Sequence, residues 1–336
     1  MRILSGVQSS GRLHLGNYYG AIRQFIQLQT QGEGLYFIAN LHSLTTVRDA
    51  ALQRDLTQDA ALAFLSLGLD PERATLFRQT DVPEVLELNW ILGTVVPLSH
   101  LERAHSYKDK VAKGISADFG LFAYPVLMAA DILVYGSDVV PVGKDQVQHV
   151  EFARDWATKF NVTYVKGYDP ADPDGKDGHP PGILRLPEAR IQESTATIPG
   201  VDGQKMSKSY GNTIDLFGDE KEVKKRIMGI KTDSTPVEAP KPVDSALYQL
   251  LKVMAPSESE FAELDATWRA GGKGYGDYKK KLLEYFHATF GPARQKRDEL
   301  LKDPGEVERI LKDGAERARA FAAPVMDAVR KAVGFR

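Results

Sequence analysis

From residue 2 to residue 160 the chain alternates short apolar runs with longer amphipathic segments, and this alternation leaves few architectures open. Residues 2–7, 35–39, 75–78 and 139–142 read as strands. Residues 16–29, 49–67, 83–95, 119–134 and 144–160 read as helices, with apolar positions recurring at helical spacing. Parallel strands need a crossover of a dozen or more residues, most often a helix. The pattern therefore predicts an α/β fold: a Rossmann-like parallel sheet with helices on both faces. Residues 167–182, rich in Asp, Gly and Pro, break the alternation and read as a loop or insertion. Residues 199–212 form a second polar loop. Beyond residue 219 no strand is evident, and residues 219–229, 244–254, 257–270, 275–290, 293–302, 305–319 and 323–333 read as helices. Ser257 and Glu260 have capping-box spacing. The expectation is a Rossmann-like sheet domain over 1–215 followed by an all-helical C-terminal domain over 216–336. A length of 336 residues suits roughly two domains.

Composition narrows the function. The chain has no cysteine, which removes disulfides, thiol catalysis, cysteine zinc sites and iron–sulfur clusters. The longest apolar stretch, residues 121–135, is short for a bilayer span and contains Pro125 and Asp131. The N-terminus has no apolar signal core, so a cytoplasmic protein is expected. The net charge is −2, but residues 1–220 hold 20 Lys and Arg against 27 Asp and Glu, while the rest hold 23 against 18. A mild basic bias at the C-terminal end suits a phosphate-backbone partner, and equally a solvated helical surface.

Two loops carry charge chemistry. The first strand runs into Gln8-Ser9-Ser10-Gly11-Arg12-Leu13-His14-Leu15-Gly16-Asn17 and then a helix. In an open α/β sheet ligands sit beyond the carboxyl ends of the strands, and a helix N-terminus there offers N–H groups to a phosphate. Gly16 would let a flat ring approach the backbone, and His14 and Asn17 could donate to phosphate oxygens. The loop matches neither GxGxxG nor the P-loop. Lys205-Met206-Ser207-Lys208-Ser209 places two lysines three apart in a glycine-bearing loop. Such a loop can close on a leaving pyrophosphate as its charge develops. Taken alone, it also fits a solvated basic turn. The seven histidines show no metal-ligand spacing, and no GxSxG elbow is present. Asp169, Asp172, Asp174 and Asp177 lack the closing glutamate of an EF-hand and are interrupted by prolines, so they read as a solvated loop.

Together the two loops resemble the paired signatures of the class I aminoacyl-tRNA synthetases. His14-Leu15-Gly16-Asn17 is similar to the first, written HIGH, and Lys205–Ser209 matches the second, KMSKS, at all five positions. Gly143-Lys144-Asp145-Gln146 resembles the ATP-and-substrate turn of the tryptophanyl and tyrosyl subgroup, with Lys144 where many tryptophan enzymes have Glu. The resemblance covers essentially the whole chain. Tyr124, Met128 and Asp131 fall on one face of a helix. An Asp in an apolar run must find a donor, and an indole N–H is a donor with no acceptor capacity. Tyrosine enzymes usually carry Gln where Met128 stands, so the pattern is similar to the tryptophan branch.

The resemblance implies activation of L-tryptophan by ATP, with Mg²⁺ on the phosphates, followed by transfer to tRNA(Trp) by a homodimer. It implies His14, Asn17, Lys110, Lys205 and Lys208 as groups stabilising phosphate charge. Gln8, Ser9, Ser10, Gly16, Gly143, Lys144, Asp145, Ile198, Met206, Ser207 and Ser209 join Asn17 and the two lysines as ATP-binding residues. Asp131, Tyr124, Met128, Gln146 and His42 would form the tryptophan site. A tyrosine–tRNA ligase, another nucleotidyltransferase with an HxGH-type loop, and a relative that binds tryptophan, ATP or a protein without charging tRNA are the alternatives.

Overall fold

The computed structural model describes residues 1–335 except 105–117, 144–145 and 192–197. Strand β1 (Arg2–Val7) leads to α1 (Leu15–Asn17), which continues through a π turn (Tyr18–Ile22) into α2 (Arg23–Leu28). Then follow β2 (Glu33–Ile38), α3 (Asn40–Ser43), α4 (Ala50–Ser66), β3 (Ala74–Arg78), α5 (Glu84–Gly93), α6 (Leu98–Glu102), α7 (Phe119–Leu133), β4 (Val139–Val142), α8 (Val147–Tyr164) and β5 (Glu188–Ile191). The C-terminal region holds α9 (Glu220–Met228), α10 (Ala246–Met254), α11 (Glu258–Ala270), α12 (Tyr275–Leu300) and α13 (Pro304–Ala332).

The five strands form one parallel sheet in the order β3-β2-β1-β4-β5. Side chains alternate across it, as the strand period of two requires. Tyr36, Ile38 and Leu76 face a core shared with α4 and the C-terminal helices. Leu35, Phe37 and Phe77 face the core under α5, α7 and α8. The strand order reverses between β1 and β4, which opens a crevice at their carboxyl ends. Asp49 caps α4 by accepting from Leu52 N–H at 2.7 Å, and Asp118 caps α7 in the same way at 2.8 Å.

Four local expectations change. β5 was not evident in the sequence, because it is a four-residue edge strand with no buried position. Residues 275–290 and 293–302 join as α12 through Pro292, and 305–319 and 323–333 join as α13 through Pro324. A proline removes one helical hydrogen bond. Here burial on both sides of it, at Phe290 and Ala293 in α12 and at Ala322 and Met326 in α13, holds the helix together. The Ser257–Glu260 pair forms only the Ser257 cap, to Glu260 N–H at 3.2 Å, while the Glu260 carboxylate lies 3.1 Å from Lys281 Nζ. Residues 167–182 do form a loop, in which the Asp172 carboxylate accepts from Lys176 and Asp177 N–H at 2.7 and 2.8 Å.

The C-terminal helices pack against the sheet domain. Helix α13 lies across β3 so closely that a Cβ on Gly314 would meet the Leu76 carbonyl oxygen at 1.9 Å. Arg78 donates to both Glu308 carboxylate oxygens at 2.8 Å, and Arg297 of α12 pairs with Asp59 of α4 at 2.6 Å. Tyr18 meets Phe290 edge-on, with ring centroids 5.0 Å apart.

Candidate active site

A cleft of about 610 Å³ opens at the β1/β4 crevice. Its floor is Leu4–Val7 of β1, Val140–Val142 of β4 and the following Gly143, and its walls include Gln8, Ser10, Asn17, His42, Tyr124, Met128, Asp131 and Gln146. Residues separated by more than a hundred positions meet there because the sheet places the ends of β1, β2 and β4 side by side.

The tightest constellation surrounds Asp131. Its carboxylate is 1% exposed. A charge in that position is costly unless it is hydrogen-bonded. Gln79 Nε2 lies 2.8 Å from both Asp131 oxygens, and His42 Nε2 lies 2.9 Å from Oδ2. Burial pushes the carboxyl up from its ordinary value, opposed by His42 and then by Gln79. An ionised carboxylate only accepts, so this contact sets the His42 proton on Nε2. Gln79 is itself fully buried, and its Oε1 accepts from Leu41 N–H at 3.0 Å. Asp131 keeps lone-pair capacity toward the cleft, where an N–H donor can reach it. The Tyr124 hydroxyl lies 3.0 Å from His149 Nε2, and burial raises it to about 12, so it remains a neutral hydroxyl. Tyr124 also meets His42 edge-on, with centroids 6.2 Å apart.

The two charged loops are joined by backbone. His14 bridges Asp215 in antiparallel fashion, with Leu15 N–H on Ile214 O and Leu216 N–H on Leu13 O, each at 3.0 Å. Gly16 N–H donates to Met206 Sδ at 3.3 Å. Lys208 lies over Gly11, where a Cβ would sit 2.6 Å from its Nζ. Burial lowers His14 to about 4, and Lys208 pushes it the same way, so the imidazole is neutral near pH 7. Burial also lowers the Lys208 ammonium, opposed by Asp215 and Asp59. Asn17 Oδ1 accepts from His14 N–H at 3.1 Å, which leaves its amide N–H₂ to face a ligand.

Not every expected residue reaches the cleft. Ser9 is 1% exposed and turns inward, its hydroxyl 3.1 Å from that of Ser43. Ile198 and Met206 are buried in the core beside the loop, with Met206 N–H on Ile198 O at 2.9 Å. Lys205, Lys208 and Ser209 are exposed and Ser207 is half-buried. Lys110, Lys144 and Asp145 lie outside the described residues. Sequence reasoning missed Gln79, for which the one available signal is its position directly after a strand. It also missed Asn212, three residues past the second signature.

A parallel sheet with a crevice at its switch point, flanked by a helix-start loop and a cationic loop, is the framework of a nucleotide-activating enzyme. A sequence model described as tRNA synthetases class I (W and Y) matches residues 1–291, and the chain belongs to that family. Within the family it falls in the tryptophanyl branch. It is 51% identical over 337 residues to a tryptophan–tRNA ligase of Rhodopirellula baltica, covering all of both chains. It is 47% identical to one of Campylobacter jejuni, covering 99% of this chain and all of that one. A crystal structure of the Campylobacter jejuni tryptophanyl-tRNA synthetase complexed with ADP and tryptophan superposes with a TM-score of 0.89 over 99% of this chain and all of that one. A tyrosyl-tRNA synthetase of Archaeoglobus fulgidus, 21% identical with a TM-score of 0.61 over 88% of this chain and 90% of that one, shares the fold.

Proposed function

We infer that this chain is a tryptophan–tRNA ligase: it activates L-tryptophan with ATP and passes the tryptophanyl group to tRNA(Trp). The observation that carries the reading is the Asp131–His42–Gln79 cluster in a cleft bordered by the first signature loop through Gln8, Ser10 and Asn17, with the second loop held against the first through Met206. The indole N–H donates to Asp131, and Met128 packs against the ring through its thioether. Tyr124 and Gln146 hold the ammonium end. Gln8, Ser10, Asn17 and Gly143 border the space for ATP. Several expected contacts are not on the cleft wall: Ser9 supports the phosphate loop from beneath, Ile198 and Met206 support the cationic loop rather than touching adenine, and His14, Gly16, Lys205, Ser207, Lys208 and Ser209 lie beside the cleft rather than lining it.

In the first step a tryptophan carboxylate oxygen attacks the α-phosphorus in line. The bond from that phosphorus to the bridging oxygen breaks, and pyrophosphate leaves with the electron pair. No covalent enzyme intermediate is required, so catalysis is positioning and charge stabilisation. Neutral His14 and the Asn17 amide donate hydrogen bonds, while Lys205 and Lys208, with Lys110 in the same role, supply positive charge to the phosphates. When bound with ATP, Mg²⁺ would supply further positive charge to the phosphate oxygens beside these residues. Among the described residues no three His, Asp or Glu side chains converge to hold a cation. In the second step a ribose hydroxyl of the terminal adenosine attacks the carbonyl and AMP leaves.

The helical part, residues 216–336, is assigned to the anticodon region of the tRNA, in line with its mild positive balance. A homodimer is supported by exposed apolar side chains on elements that contact α7: Leu86 and Trp90 one helical turn apart on α5, and Leu98 at the start of α6, with Phe119 at the start of α7 itself. Trp90 is 75% exposed, unusual for an aromatic without a partner. Trp90→Asp is expected to halve the mass measured by light scattering, and an unchanged mass would exclude this face. Among the described residues no helix is long and apolar enough to cross a membrane, and the work is assigned to the cytoplasm. The whole reading is tested by charging a tRNA(Trp) transcript with labelled tryptophan. A folded protein that forms the adenylate but leaves the tRNA uncharged would contradict it.

A further inference from the structure

We propose that Asn212 is a positioning residue for the two loop lysines, through hydrogen bonds that brace the backbone on both sides of Met206. The proposal rests on the assignment of Lys205 and Lys208 as the phosphate clamp. Asn212 is 2% exposed although the loop around it is polar and mostly open to solvent. Its Oδ1 accepts from Ser207 N–H at 2.8 Å. Its Nδ2 donates to the Lys205 carbonyl at 3.1 Å and to Asp202 Oδ1 at 2.8 Å. Both amide hydrogens and one lone pair are thus engaged, and a buried amide left short of partners would be costly.

The position of those partners separates this residue from an ordinary core amide. Asp202, Lys205 and Ser207 all belong to the loop that carries the lysines, and none lies on a strand or helix of the core. The Lys205 carbonyl and the Ser207 amide flank Met206, whose sulfur accepts from Gly16 N–H. Asn212 therefore fixes the loop backbone against the first signature loop and leaves both lysine side chains free to swing. The backbone of Asn212 continues the brace, its carbonyl accepting from Val201 N–H at 3.0 Å while Val201 O accepts from Lys231 N–H at 2.7 Å. The fit is close: a Cβ on Gly200 would lie 2.3 Å from the Asn212 amide.

A charge-stabilising group has to be within a fraction of an ångström of its target to act fully. Asn212→Asp has nearly the same shape but turns the donor into an acceptor facing the Lys205 carbonyl and the Asp202 carboxylate. Tryptophan-dependent ATP–pyrophosphate exchange is expected to fall about 10- to 100-fold in kcat, in the range of a lost transition-state contact. Tryptophan affinity should stay near that of the unaltered chain, while the thermal midpoint falls, because a carboxylate is now buried against Asp202 and the Lys205 carbonyl; the rates are compared well below that midpoint. Adding Asp202→Asn, which supplies a donor to the new carboxylate, should recover part of the rate. In the Asn212→Asp background Lys205→Ala should cost much less than it does alone, because both changes remove the same contact. Asn212→Ala, which removes the brace without repulsion, should show the same kcat loss and guards against misfolding of the first variant. Full exchange in both Asn212 variants, or losses that multiply independently with Lys205→Ala, would overturn the positioning role. Lys205→Ala without effect on its own would overturn the clamp assignment itself.

Discussion

Replacing Gln79 by Met keeps its volume and removes both its polar atoms. The Asp131 carboxylate then loses a donor held 2.8 Å from both oxygens and keeps His42. A hydrogen bond to a charged group contributes about 1.5–3 kcal/mol. The half-buried Leu41 N–H, which Gln79 accepts at 3.0 Å, also loses its partner. The volume match adds little strain, so the stability loss is on the order of 2–4 kcal/mol. The larger signal is in tryptophan binding. Burial already raises the Asp131 carboxyl, and Gln79 is one of two groups holding it down. Without Gln79 it rises further, and a protonated carboxyl no longer offers the indole an ionised acceptor. Ionisation increases with pH, so part of the lost affinity should return as the pH is raised. Titration calorimetry with tryptophan over a series of pH values is expected to show about 10-fold weaker binding than in the unaltered chain, with the deficit narrowing as the pH rises. The KM for ATP should be unchanged. A tryptophan affinity within about twofold of the unaltered chain at every pH, or equal weakening of ATP, would refute the reasoning.

Three further outcomes follow from the geometry. Lys205→Ala should lower the exchange rate by about 10²- to 10³-fold with tryptophan affinity retained, the scale of one lost oxyanion-type contact; single-turnover adenylate formation reads this directly. His14 is lowered from 6.5 to about 4, so the native state binds fewer protons than the unfolded chain between those values, and stability falls as pH drops through that window. Between pH 7.5 and 5 the loss should be about 2 kcal/mol, seen as a lower urea midpoint, and His14→Gln should abolish that part of the slope. Gly314→Ala places a methyl against the Leu76 carbonyl and should destabilise by about 1–3 kcal/mol through overpacking; an unchanged urea midpoint would mean that α13 can shift off the sheet.

The parts of the molecule that were legible in the sequence are those whose physics is local. Strand–helix alternation gave the parallel sheet, and Asp49, Asp219 and Ser257 sit at helix starts where their side chains cap. The site's outline was legible because Tyr124, Met128 and Asp131 share a helix face and the first loop follows β1. What stayed hidden depends on which way a loop residue turns. Ser9 and Ser10 are adjacent, of the same type and in the same loop, yet Ser9 turns to Ser43 and Ser10 to the cleft. Gln79 carries no periodic signal, since its role comes from Asp131, 52 positions away. The breaks drawn at Pro292 and Pro324 follow proline's local cost, which long-range packing of α12 and α13 overrides. Edge strand β5 has no buried face to impose a pattern.

The central claim is that the cleft selects tryptophan through Asp131 for activation by ATP. The most direct test is ATP–pyrophosphate exchange with tryptophan, with tyrosine and with no amino acid, in the unaltered chain and in Asp131→Asn. Exchange with tryptophan alone, largely lost in the variant, is the expected result. Exchange with tyrosine, or a variant that still activates tryptophan at the full rate and affinity, would contradict the account.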